Sequence, residues 1–114
     1  MPLKRKGRIA PRSKKRVAAA FQRSQIRDDV FARDGYRCQF DAFADAWEPE
    51  PGLVEEFDRW RSEGCWSHLT PHHLHKSSGG GSYSLENLTT LCVGHNEGVE
   101  RHPRLALAMG LVIR

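Results

Sequence analysis

The stretch Leu69-Thr70-Pro71-His72-His73-Leu74, together with Glu86-Asn87-Leu88 and Leu91-Cys92-Val93-Gly94-His95-Asn96, decides how this chain folds. Its first piece reads as a strand. The Ser77-Ser78-Gly79-Gly80-Gly81-Ser82 run that follows must be a loop, since glycine and serine clusters punctuate regular structure. Ser84 is an N-cap candidate, and Leu85, Leu88 and Leu91 supply apolar anchors to the second half. Beyond them a helix is expected over Glu97–Arg101, interrupted by Pro103. A last helix over Leu105–Met109 should stop at Gly110, with Leu111-Val112-Ile113 as a terminal strand.

Upstream, Val17, Phe21, Ile26, Val30 and Phe31 recur at helical spacing and predict one apolar stripe, ended by Asp34-Gly35. Tyr36 to Phe40 reads as a short strand or a tight knuckle. Residues 41–64 are broken by Pro49 and Pro51. There Leu53, Val54, Phe57 and Trp60 suggest a short amphipathic helix inside an insertion, with Trp47 and Trp60 as packing residues. The resulting division is a basic flexible arm over 1–16 and a single domain over 17–114, with 41–64 inserted.

Charge separates these parts. Residues 1–23 hold nine Lys/Arg and no acid, whereas the remainder holds nine against fourteen Asp/Glu, although the whole chain is +4. Such a block suits a polyanion, so Lys4, Arg5, Lys6, Arg8, Arg12, Lys14, Lys15 and Arg16 are expected to contact nucleic acid, with Lys76 beside the loop. Three cysteines, Cys38, Cys65 and Cys92, cannot all pair. With no apolar leader or membrane run, the expected compartment is the cytoplasm and no membrane partner is expected. There, cysteine with histidine reads as metal binding.

The histidine pair carries chemistry. Water attacks a phosphodiester slowly because anionic centres meet and an alkoxide must leave. A divalent cation and a neutral imidazole relieve these two obstacles. Adjacent residues of a strand point to opposite faces, so one histidine of a pair can hold metal while its neighbour reaches the water.

The run Arg33-Asp34-Gly35-Tyr36-Arg37-Cys38, then His72-His73, Ser78-x-Gly80-Gly81, Glu86-Asn87-Leu88, Leu91-Cys92, Pro103 and Gly110, resembles the HNH endonuclease family, and in particular its small phage-encoded members with a basic arm. The resemblance spans roughly residues 12–114, with 41–64 matching poorly. It implies an α+β fold: a ββα-metal finger, a hairpin packed on a helix, with flanking helices and the basic N-terminal arm. It makes His72 a ligand of the catalytic ion, His73 the general base, and Asn87 the amide that braces the backbone around that base.

Family members usually read Cys-x-x-Cys-His-x-x-x-His after the asparagine, where this chain reads Cys92-x-x-His95-Asn96-x-x-x-Glu100. The resemblance therefore places the remaining catalytic-ion ligands on Asn96 and Glu100, a donor set favouring Mg²⁺ or Mn²⁺. His68, His75 and His102 read as surface residues, with His102 left open as a stand-in for Glu100. The resemblance also implies a structural Zn²⁺ on Cys38, Cys65, Cys92 and His95, with Asp41 competing with Cys65 for the second place. The implied function is hydrolysis of double-stranded DNA with little sequence preference, and the implied partners are that DNA and a phage terminase or portal. The alternative is a zinc-stapled DNA-binding accessory protein that has lost the catalytic ion.

Overall fold

The computed structural model describes residues 13–76 and 80–114. The expected contacts at Lys4, Arg5, Lys6, Arg8 and Arg12 lie outside them, as do Ser77, Ser78 and Gly79. Helix α1 (Lys14–Arg33) opens on Ser13, whose hydroxyl accepts from the Arg16 N–H at 3.2 Å, and closes at Asp34 and the left-handed Gly35. Lys14, Lys15 and Arg16 thus form its first turn instead of an extended arm. The serine cap and the high helix propensity of lysine and arginine account for the earlier start.

The apolar stripe of α1 is only half used. Val30 is buried and Ile26 and Phe31 are partly so, but Val17 and Phe21 are 53% and 67% exposed. The C-terminal half of α1 packs on the body while the basic half projects.

Helices α2 (Phe40–Ala46) and α3 (Val54–Glu63) come from the stretch read as an insertion, and they build much of the core. Phe40, Ala44, Leu53, Phe57 and Trp60 pack with Leu91, Val99, Leu111 and three residues of α5 (Pro103–Met109): Leu105, Ala106 and Met109. Each fully buried large apolar side chain contributes about 1.5–3 kcal/mol, so α2 and α3 are structural walls. Tyr36 to Gln39, expected with Phe40 as a short strand or knuckle, is a turn with Gly35 and Tyr36 left-handed, and Phe40 already begins α2. The turn's single backbone bond to the sheet runs from the Gln39 N–H to the Thr90 carbonyl at 2.8 Å.

Strands β1 (Leu69–His73) and β2 (Leu88–Cys92) pair antiparallel, with Leu69 opposite Cys92 and His73 opposite Leu88. All five residues of β2 are buried. A 3₁₀ turn, Leu85–Asn87, feeds β2, and β2 runs straight into α4 (Val93–Arg101), giving a strand–strand–helix order. Helix α5 has Pro103 in its first turn and the left-handed Gly110 after its end. The expected terminal strand does not form. Ile113 donates one backbone bond to the Leu74 carbonyl at 2.9 Å, since β1 ends at His73. Among the described residues no helix is long and apolar enough to cross a membrane.

Candidate metal centres

Cys92 ends β2 and caps α4, its sulfur accepting from the His95 N–H at 3.3 Å. One helical turn then turns His95 back over it. Cys38 arrives from the turn after α1, and Cys65 from the residue after Gly64, whose φ of 70° lets the chain leave α3 sharply. The His95 Nδ1 lies 3.3 Å from Cys38 Sγ, 3.5 Å from Cys65 Sγ and 3.3 Å from Cys92 Sγ, and the four ligand atoms all fall within 4.8 Å of one another.

A tetrahedral Zn²⁺ with ordinary Zn–S and Zn–N bonds requires nitrogen–sulfur edges of about 3.5 Å. The Cys₃His set fits a structural zinc, with Cys65 and not Asp41 completing it.

The electrostatics agree with that fit. Burial pushes the Cys38 thiol up, and burial with the charge of Cys38 pushes Cys65 up to about 12. Burial opposes ionisation of Cys92 too, yet N–H donors from His95 and Trp66 hold it below the usual thiol range. Three thiolates this close repel one another, and a dication reverses that balance. Burial also lowers His95, keeping it neutral as a ligand must be. Its ring is stacked on Phe40 at 4.0 Å, with the Trp60 edge at 6.2 Å.

On the hairpin's other business side, His72 is buried, with Nε2 2.7 Å from the Leu111 carbonyl and Nδ1 2.8 Å from Asn96 Oδ1. A carbonyl only accepts, so Nε2 carries the ring proton and a neutral ring presents a lone pair at Nδ1. The Asn96 oxygen also only accepts. The contact is satisfied by a second ring proton, by turning the amide NH₂ inward, or by a cation bound to both atoms. Two ligands of an octahedral Mg²⁺ stand about 3 Å apart, the separation that this pair has.

His73 faces the opposite side of β1, half-buried, edge-on to Tyr83 at 5.6 Å. Burial first, then the neighbouring charges of His72 and Arg23, lower its pKa and favour the neutral imidazole. Asn87 is buried and staples the turn. It accepts from the His75 N–H and donates to the carbonyls of His75 and Ser82, each at 2.9 Å, while its own carbonyl takes the Leu74 N–H. The amide therefore grips the backbone just past the histidine pair. Gly81 is required there, because a Cβ would fall on the His75 carbonyl.

Other expectations resolve differently. Glu100 is exposed and pairs with Lys76 at 3.4 Å. His102 is no stand-in for it. Its Nδ1 meets Glu56 at 2.8 Å and its ring stacks on Trp60 at 5.0 Å, because α5 begins there and turns it toward α3. His68 and His75 are exposed, as expected.

Sequence reading missed the Arg33–Asp34 clamp, having taken Asp34 as a helix stop and as part of the motif run without giving its side chain a role. Arg33 donates to the carbonyls of Leu85 and Leu88 at 2.6 and 2.7 Å and to both oxygens of Asp34, which also accepts from the Thr90 N–H at 3.0 Å. Burial opposes the Asp34 charge, but the Arg33 and Thr90 donors outweigh it and hold the carboxyl below its usual range. Also missed was the Gly94-x-x-x-Gly98 face of α4, against which Trp66 and Trp60 lie so closely that a Cβ would collide with either indole. The four-residue spacing was the available signal.

No family model, no curated protein and no solved structure matches the chain.

Proposed function

We propose that the chain is a metal-dependent endonuclease hydrolysing phosphodiester bonds in double-stranded DNA, built as an HNH-type ββα-metal finger. The observation that carries this reading is the 2.8 Å approach of His72 Nδ1 to Asn96 Oδ1, with His73, whose pKa burial lowers, next in sequence. The strand–strand–helix order supports it. His72 and Asn96 would hold a divalent cation such as Mg²⁺ or Mn²⁺, which would supply neutralisation of the charge that develops in the reaction.

The chain's own residues do the rest. The Leu111 carbonyl fixes the His72 tautomer, as metal-ligating histidines generally require. His73 takes a proton from water at a ring nitrogen as the water oxygen bonds to phosphorus. The bond to the 3′ oxygen breaks, leaving a 5′-phosphate and, after protonation, a 3′-hydroxyl. Asn87 keeps the backbone beyond His73 from shifting. Lys14, Lys15 and Arg16 in the first turn of α1 oppose the helix dipole, an arrangement that a polyanion relieves.

One observation favours a second reading, a zinc-stapled DNA-binding accessory protein. With Glu100 engaged by Lys76, the described site offers two donor atoms of the three expected. Supercoiled plasmid incubated with Mg²⁺, Mn²⁺ or EDTA separates the two. Metal-dependent relaxation that falls by about 10²–10⁴-fold in His73→Ala is expected. Salt-sensitive DNA binding without relaxation under any ion decides for the accessory protein.

A further inference from the structure

Arg23 lies on the exposed surface of α1, yet its guanidinium carbon sits 5.2 Å from the centre of the Tyr83 ring. The same ring stands edge-on to His73 at 5.6 Å. Side chains from α1, from the loop before the 3₁₀ turn and from β1 thus form one column. The column brings a cation beside a histidine, where like charges would ordinarily be kept apart.

Among the described residues no carboxylate pairs with Arg23, whereas Arg27, Arg33 and Arg101 each have one. A tyrosine face steadies a guanidinium without using its N–H donors. Those donors form a planar fork matched to two phosphate oxygens. Arg16 lies seven residues earlier on nearly the same helix face, about 10 Å away along the axis. A nucleic-acid strand meeting Arg23 would therefore run on along the basic half of α1.

We propose that Arg23, held over Tyr83 beside His73, is a phosphodiester-binding site that grips the two non-bridging oxygens of the phosphate presented to His73. This deepens the nuclease reading and rests on it for the role of His73. Tyr83 is a positioning residue that fixes the guanidinium and touches no substrate.

The test uses the full zinc-bound chain and a probe with one phosphodiester and no neighbouring phosphates, the dinucleotide dTpdT. Titration followed by NMR should shift the Tyr83 ring protons and the Arg23 Nε–H. The Tyr83 shift should vanish in Arg23→Ala and be weak in Arg23→Lys, which lacks the fork. In parallel, hydrolysis of thymidine 5′-(p-nitrophenyl phosphate) should fall about 10- to 100-fold in kcat/KM for Arg23→Ala, the scale of one charge-assisted hydrogen-bonded contact. An Arg59→Ala variant, which removes an exposed arginine of α3, should keep the wild-type rate on this small ester. An unmoved Tyr83 in the wild type overturns the proposal, as does an Arg23→Ala variant that hydrolyses the small ester as fast as Arg59→Ala where the wild type is active. If the wild type hydrolyses neither substrate but the Arg23-dependent shift is present, the nuclease reading fails and the phosphate site stands.

Discussion

His95 and Asn96 are neighbours on α4, yet they serve two places of unlike construction. His95 belongs to a site with four strong donors drawn from four separate points of the chain, already spaced as a tetrahedral ion needs. Asn96 belongs to a pair, one imidazole and one amide, whose third expected member, Glu100, is exposed and lies 3.4 Å from Lys76. The first is a closed staple, since nothing is left open to substrate. On the proposed reading the second would leave positions for water and phosphate. One helix turning 100° per residue presents both residues to their different partners.

The comparison breaks most visibly at the staple. Cys92→Ser or His95→Ala should abolish the folded state, because structural zinc contributes about 10–16 kcal/mol in small domains whose whole stability is about 5–15 kcal/mol. Zinc content by mass spectrometry and the thermal transition check this together. A variant with unchanged melting would remove the staple from the account. Asn96→Ala should leave zinc content and fold intact but raise the Mg²⁺ needed for half-maximal cleavage by about 10–100-fold. Equal damage to folding and to metal dependence would mean the two sites are one.

Smaller changes sharpen the contrast. At Gly98 a Cβ would meet the fully buried Trp60 indole, which faces His95 and His102. Gly98→Ala should therefore cost about 1–3 kcal/mol of stability by overpacking, with the Mg²⁺ requirement unmoved; denaturant unfolding measures it. The Arg33–Asp34 clamp gives the smallest effect. Its folded-state carboxyl is depressed, so its contribution is complete above the ordinary aspartate range near pH 4 and is lost as pH falls through the folded value. Asp34→Asn should cost about 1–2 kcal/mol at neutral pH and flatten the acid limb of the stability profile. An unaltered limb would show that the clamp carries no linkage.

Local pattern made α1, α3, α5, part of α4 and the β1 strand legible, while α2 was not read and the Cys₃His set came with the resemblance. Loop composition and the proline and glycine stops each depend on neighbours within a turn or two. The same local logic placed the Trp47 and Trp60 packing correctly but took the whole 41–64 stretch for an insertion. Its value lies in what Leu53, Phe57 and Trp60 cover, and no local spacing states that.

The sequence by itself determined that a strand would run through the histidine pair and that positive charge would gather before residue 24, while the resemblance implied the hairpin on a helix and the meeting of thiols with an imidazole. Only the tertiary structure decided that Cys65 and not Asp41 joins the cluster. It alone also decided that Glu100 goes to Lys76 and His102 to Glu56, and that Arg23 reaches Tyr83 beside His73. The reason is physical. Periodicity and capping are set by torsions within a few residues, whereas a side chain's partner at distant positions is set by how helices dock. Docking is fixed by the buried shapes of Trp60, Phe40 and the α4 glycines, and by no spacing along the chain.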